Sequence, residues 1–353
     1  MSIIKLAGLG KTVLESNVKR LDKPYKLNFA ITYWCQSRCL TCNIWQFKPK
    51  GELTLEEIKA FAEKNTSFRW IELTGGEPFL RPDIVGIAKA FYENSKGLYM
   101  LTMPTNSLCS HDLIIGRIKE MLDLGIPKIA ITISLDGYRE LHDRIRGIPG
   151  NYDRAITTFK RLHDLQKEYK NLYFVFGYTM SSYNEGQFQK TFDAVKKDIP
   201  YIKYRDFHMN LGQISSNYYG NSNFDMLAKR NSVADELEGM LGKRERSFGA
   251  IHLIEHTFLR KLVEYVRTDR MPMKSKSLDA SLFLDSFGNI FPSIMWDQKI
   301  SNVRDIDYDL NKVWHGELAN MVREAVDRGN EPKQWTSCEA YQSITGNISS
   351  IIK

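Results

Sequence analysis

Six short runs rich in β-branched and aromatic residues, at 27–33, 68–73, 98–103, 128–134, 172–178 and 203–210, alternate with stretches of helical period. The helical stretches lie at 54–65, 83–94, 111–124, 152–169 and 184–198, and the first opens with Thr54 and Glu57 at capping-box spacing. Strands alternating with helices of this length predict parallel pairing, and right-handed crossovers curl such a sheet into a closed or partial barrel. The expected fold class is α/β: a partial (β/α)6 barrel whose active loops follow the strand ends. Residues 1–26 read as an amphipathic lead-in helix. Its stripe of Leu14, Val18 and Leu21 is expected to cover the barrel bottom, with Lys11, Lys19 and Arg20 off the stripe; a membrane-surface helix is the alternative. Past the barrel, 222–276 reads as a helical connector whose Lys243-Arg244-Glu245-Arg246 run lies on a solvated face. Residues 281–294, SLFLDSFGNIFPSI, read as a β-hairpin with Gly288 and Asn289 at the turn. The organisation expected is therefore 1–26, 27–221, 222–276 and an extension over 277–353.

Charge and composition narrow the reading. Lys and Arg exceed Asp and Glu by 49 to 42, for a net charge of +7. The cations are dispersed, so charge alone does not imply nucleic-acid binding. The first 27 residues lack a signal-peptide core, and no apolar run is long enough to span a bilayer; a soluble, cytoplasmic protein is expected. GLGKT at Gly8 to Thr12 is not a phosphate loop, because the glycine required five residues before Gly10 is Lys5.

The cysteines change the picture most. There are five, at 35, 39, 42, 109 and 338, an odd number and a poor basis for disulfides. Cys35, Cys39 and Cys42 stand at C-x3-C-x2-C spacing in the loop after the first strand. Three thiolates on one loop can hold a 4Fe–4S cluster and leave one iron without a protein ligand. A structural zinc site would want a fourth ligand, and the nearest histidines, His111 and His142, are distant in sequence; a redox pair would leave Cys35 without a role.

Further motifs follow the strands in order: Thr74-Gly75-Gly76-Glu77-Pro78, Pro104-Thr105-Asn106-Ser107, Ser134-Leu135-Asp136-Gly137 and His142-Asp143-Arg144-Ile145-Arg146-Gly147. Together with the cysteines they resemble the radical S-adenosylmethionine (SAM) superfamily, in particular its branch with a SPASM or twitch extension. The resemblance implies that the open iron chelates the amino and carboxylate groups of SAM. It implies that Gly75, Gly76, Glu77 and Pro78 receive the SAM amino group, the glycines allowing close backbone approach. Thr105 and Asn106 belong to the family's TNG element, with Ser107 in place of Gly. Ser134 and Asp136 would address the ribose or methionyl part of SAM, and Arg146 its carboxylate, unless Arg146 is tied up in an ion pair with Asp143. Asn210 and Gln213 are rim residues within reach of a substrate, and Tyr218-Tyr219 is read as a packed loop.

The extension departs from the cluster-bearing members of that branch. Ser277 to Ala280 precede the hairpin and Ser293 follows Pro292, where those members carry cysteines, so no auxiliary cluster is expected. The extension is instead expected to close the barrel top as a lid. Cys338 and Cys109 are candidates for hydrogen-atom donation to a substrate radical. The function expected is reductive cleavage of SAM to a 5′-deoxyadenosyl radical, which abstracts a hydrogen atom from a substrate: a small metabolite, a lipid precursor, a peptide or tRNA. An electron donor such as flavodoxin or ferredoxin would serve it. The alternative is a zinc- or cluster-containing nucleic-acid-binding protein.

Overall fold

The computed structural model describes residues 2–224, 230–245, 249–333 and 335–348. After α1 (Ser2–Val18), six strands run parallel in sequence order: β1 (Lys26–Thr32), β2 (Trp70–Gly75), β3 (Met100–Thr105), β4 (Lys128–Ser134), β5 (Leu172–Met180) and β6 (Phe207–Leu211). Helices α2 (Leu55–Lys64), α3 (Ile84–Asn94), α4 (His111–Asp123), α6 (Asn151–Glu168) and α7 (Phe188–Asp198) return the chain, and the expected capping box of Thr54 and Glu57 opens α2. The short α5 (Arg139–Arg146), between β4 and α6, falls on the His142 to Gly147 motif, where no helix was predicted. α8 (Arg230–Lys243) and α9 (Ala250–Thr268) follow the barrel.

The strands alternate although the sheet is parallel, because their two faces meet different surroundings. Leu27, Phe29, Ile31, Ile71, Leu73, Ile129, Ile131 and Ile133 point outward into the core beneath the helices. Lys26, Asn28, Glu72, Thr102, Ser134 and His208 occupy alternate positions, on the concave side.

The extension corrects two expectations. β7 (Ser281–Leu284) pairs parallel with β1, from Lys26 opposite Ser281 to Phe29 opposite Leu284, and β8 (Asn289–Phe291) and β9 (Ser301–Asn302) continue antiparallel. The hairpin therefore extends the barrel sheet at its open edge instead of lying over its top. Its turn also sits earlier than expected. Asp285 accepts hydrogen bonds from the backbones of Phe287 and Asn289, Gly288 takes φ +87°, and Asn289 already belongs to β8. α10 (Asn311–Trp314) and α11 (Glu317–Asp327) lead to α12 (Ser337–Thr345), which crosses the concave side. On α12, Tyr341 stacks on Trp70 of β2 and reaches His208 of β6, while Gln342 and Glu339 bond Lys26 and Asn28 of β1.

Two further expectations fail for packing reasons. The inner face of α1 is not the predicted stripe: Leu9 and Val13 pack toward Leu21, Tyr25 and Ala280, while Leu14 and Val18 point outward. The inner face must fit close neighbours, and it does so with Gly8 against Arg69, the buried Ser16, and Asn17, which bonds the Thr345 carbonyl. Arg244 is not solvated either. Its guanidinium donates to the carbonyls of Tyr204, Arg205 and Phe207 and lies 3.8 Å from Glu255; Arg246 lies outside the described residues. No helix among the described residues is long and apolar enough to cross a membrane.

Candidate active site

The cysteine loop leaves β1 and is stitched down on three sides. Arg38 and Leu40 donate backbone hydrogen bonds to the carbonyls of Arg146 and Ile145 at the end of α5, and Ser37 Oγ donates to the Arg146 carbonyl. Gly147 closes α5 at φ +68°, so near Arg38 that a Cβ would stand 2.5 Å from its carbonyl oxygen. From the other side, Asn43 bonds the carbonyls of Tyr219 and Gly220, and Asn221 bonds the Thr41 carbonyl. Glu52 anchors the start of the loop through the Tyr33 N–H at 2.6 Å and the Thr32 hydroxyl at 3.0 Å.

The ends of β2, β3 and β4 converge on this loop. Gly76 N–H donates to the Thr32 carbonyl and Glu77 N–H to the Trp34 carbonyl. A Cβ on Gly75 or Gly76 would come within 2.0 or 2.2 Å of those same oxygens. The close approach these glycines permit is therefore to the cysteine loop itself. Glu77 is buried and points inward. Its carboxylate accepts from the Asn106 N–H at 2.7 Å, the Thr105 hydroxyl at 3.0 Å and the Phe79 N–H at 3.3 Å. Burial pushes its pKa up to about 7, against the pull of those hydrogen bonds. Asn106, held in this way, places its side-chain amide 3.7 Å from Cys35 Sγ. Pro78 starts a one-turn helix after Glu77.

At the end of β4, Ser134 is half-buried on the concave face and Asp136 is buried. Asp136 accepts from the Thr179 N–H at 2.9 Å and pairs with Arg146 Nε at 2.6 Å. The ion-pair partner of Arg146 is thus Asp136 and not Asp143, whose carboxylate accepts from the Gly150 and Tyr152 N–H groups. Arg146 Nη1 lies 3.8 Å from Cys39 Sγ, so one guanidinium spans the carboxylate and a cysteine. Burial holds the His142 imidazole near pKa 4; it accepts the Asp136 N–H through Nδ1, which fixes the turn into α5.

The donor set fits an iron–sulfur group. Burial pushes the Cys35 thiol up to about 12 and raises Cys42 as well, so ionising them requires positive charge brought into the loop; Arg146 supplies part near Cys39, and bound iron would supply the rest. Among the described residues no three Cys, His, Asp or Glu side chains converge to hold a single metal ion. A cubane takes its thiolates on separate irons and does not need that convergence.

The two remaining cysteines differ. Cys109 belongs to the outer core and accepts a hydrogen bond from Gln36 at 3.4 Å, behind the cysteine loop. Cys338, on α12, faces the lumen, where its thiol donates to Glu72 at 3.1 Å. Burial raises it well above the ordinary range, and the carboxylates of Glu72 and Glu339 add to the effect. The lumen floor of Lys26, Asn28, Glu72 and Glu339 went unremarked in the sequence, where the only signal was polar residues at alternate places in β runs. Lys26 is fully buried, 3.9 Å from Glu72 and over the Trp70 ring, and burial pushes Glu339 up to about 8. Tyr218 is more than loop packing: its hydroxyl bonds Thr74 and both backbone groups of Gly75. Asn210 is half-buried on the concave side of β6, its side-chain amide oxygen accepting the Leu211 N–H, and the Gln213 backbone carbonyl is bonded by Asn221.

Comparison with known proteins agrees with this geometry. The family model of the Radical SAM superfamily matches residues 29–195. The AdoMet-dependent heme synthase of Methanosarcina barkeri is 27% identical over 181 residues, covering 50% of this chain and 48% of the relative. The chain spans about half or less of the length of the curated relatives it matches first. Among solved structures, Streptococcus suis SuiB bound to S-adenosylmethionine superposes with a TM-score of 0.59 at 15% identity, covering 89% of this chain and 70% of SuiB. anSMEcpe with bound AdoMet superposes with a TM-score of 0.60 at 14% identity, covering 93% and 98%. At these identities the superpositions establish the fold.

Proposed function

We propose that this chain, whose residues 29–195 match the Radical SAM superfamily, holds one 4Fe–4S cluster on Cys35, Cys39 and Cys42 beside a SAM site built from the ends of β2, β3 and β4. The observation that carries the reading is the pair of contacts from the strand ends to the thiols, Asn106 to Cys35 and Arg146 to Cys39. The cluster, when bound and reduced, supplies the electron that cleaves SAM to methionine and a 5′-deoxyadenosyl radical, which removes a hydrogen atom from the substrate.

The protein's own residues orient and seclude. Gly75, Gly76 and Pro78 carry the backbone edge that would face the SAM amino group, with Glu77 acting through Thr105 and Asn106. Asp136 and Arg146 hold each other and would exchange part of that pairing for the SAM carboxylate and ribose, with Ser134 beside them on the concave face. Tyr218 closes the edge of β2 against water. In the lumen, Cys338 keeps its proton, as a thiol that returns a hydrogen atom to a substrate radical must; Cys109, turned into the outer core, is the weaker candidate. The serines that replace ligand cysteines around the hairpin support a single cluster: Ser277 and Ser275 bond each other, and Ser293 Oγ accepts the Met295 N–H.

The test is anaerobic reconstitution with iron and sulfide, then dithionite and SAM. About four irons per chain and formation of 5′-deoxyadenosine support the proposal. A colourless protein holding stoichiometric zinc, or S-adenosylhomocysteine as the only product, refutes it.

A further inference from the structure

α1 turns an apolar face to solvent. Ile3 is 82% exposed, Ile4 76%, Leu14 61% and Val18 84%, and Leu6 is also exposed. These are five of the fourteen exposed large hydrophobic residues described, gathered on one 17-residue helix, whereas such residues normally stay scattered on a surface that binds nothing. The display is rigid. Lys5 lies over the Tyr92 ring, Ser16 accepts Lys276, and Asn17 bonds Thr345 and Ile348, so the opposite side of the helix is fixed to the barrel.

We propose that α1 is an interfacial helix that seats this protein on an anionic lipid surface. Charge is the first argument: residues 2–24 carry Lys5, Lys11, Lys19, Arg20 and Lys23 against Glu15 and Asp22, and with Lys5 turned to Tyr92 and Arg20 paired with Asp327 it is the exposed Lys11, Lys19 and Lys23 that meet the lipid. Lys11 is the second, because it separates a lipid from a second copy of the chain. Ile4, Lys11 and Val18 are spaced seven apart and form one line along the apolar face. In a seam between two helices that lysine would be buried in the middle of the contact. At a bilayer its stem lies along the apolar face while the ammonium reaches the phosphates; its side chain is 80% exposed and 4.0 Å from Glu15. At about 1.5 Å per residue the helix is roughly 25 Å long and lies flat without spanning. It packs beside Tyr25, where β1 begins, while the cysteine loop follows the other end of β1, so docking leaves the candidate active site open.

The full chain is incubated with phosphatidylcholine vesicles containing about 30% phosphatidylglycerol, and with phosphatidylcholine alone, and sedimented. The expected result is binding to the anionic vesicles that weakens as salt rises. Ile4→Asp with Leu14→Asp should lower the partition at least about tenfold with an unchanged circular dichroism spectrum, because both side chains are already in water. Lys11→Glu with Lys19→Glu should remove the preference for anionic lipid. Failure to bind either vesicle overturns the proposal. So does a concentration-dependent dimer dispersed by Leu14→Asp, which would assign the face to a second copy.

Discussion

Ser107 offers the most direct test of how this chain accommodates its departure from the TNG element. The residue sits at φ +63°, in the left-handed region, fully buried, and its hydroxyl finds no hydrogen-bond partner. A side chain in that conformation costs about 1–2 kcal/mol. A buried hydroxyl without a partner costs about 1–3 kcal/mol more. Ser107→Gly removes both costs and loses about 0.5–1 kcal/mol to the greater freedom of glycine in the unfolded chain. The net expectation is a gain of about 1–4.5 kcal/mol. Ser107→Ala separates the causes, because it deletes the hydroxyl and keeps the Cβ. Urea midpoints of the metal-free protein at constant slope should rank Gly above Ala above Ser. A Gly variant less stable than wild type would show that the hydroxyl is bonded in solution. An Ala variant equal to Gly would show that the backbone conformation carries no cost.

Other outcomes are expected at the site and beneath it. Alanine at Cys35, Cys39 or Cys42 should abolish cluster assembly by iron analysis, whereas Cys338→Ala should leave iron content unchanged and lower hydrogen return to a substrate radical. Asp136→Asn should strand Arg146 and weaken SAM binding about ten- to a hundredfold by equilibrium dialysis, with the cluster absorbance intact. Retained affinity would remove the pair from the SAM site. Glu255→Gln should cost about 3–5 kcal/mol by chemical denaturation, since it breaks the buried pairing with His208 and Arg244. Burial alone would raise the Glu255 carboxyl, but the charges of His208 and Arg244 and the Tyr341 hydrogen bond bring it down to about 2. Its stabilising effect is therefore present above the ordinary carboxylate pKa and lost as pH falls from about 4.5 toward 2. The Gln variant should show a shallower loss over that range.

The barrel was legible because strands with one face under helices and the other lining a polar lumen must alternate, and Leu27, Phe29 and Ile31 against Lys26 and Asn28 write that directly into β1. β4 began and ended where expected, and α4 and α6 came within one residue of their expected bounds, as capping and glycine signals are local. The cysteine spacing and the order of the strand-end motifs were legible for the same reason. What pairs with what was not. That Glu77 turns inward to hold Asn106, or that Arg146 chooses Asp136 over Asp143, depends on backbone paths set by α5, a helix too short and too charged to show as a period. The orientation of α1 does not follow its hydrophobic stripe, since Leu14 and Val18 face solvent. The available ledge, bounded by Arg69 and the end of α12, admits Gly8, Ser16 and Asn17. The path of α12 across the lumen was invisible, since its partners lie on strands hundreds of residues earlier.

That path bears on how the protein is made. Asn28 and its partner Glu339 are 311 positions apart, and β1 cannot complete its edge until β7 has been synthesised. At roughly 5–20 residues per second, β1 waits on the order of a quarter of a minute to a minute after leaving the ribosome. During that time the charged floor of Lys26 and Glu72 is uncovered and the strand edge is unpaired. Contacts so distant in sequence slow folding and lengthen exposure to aggregation. Recovery of intact protein should therefore depend on growth temperature and chaperone supply more than on the stability of the finished fold.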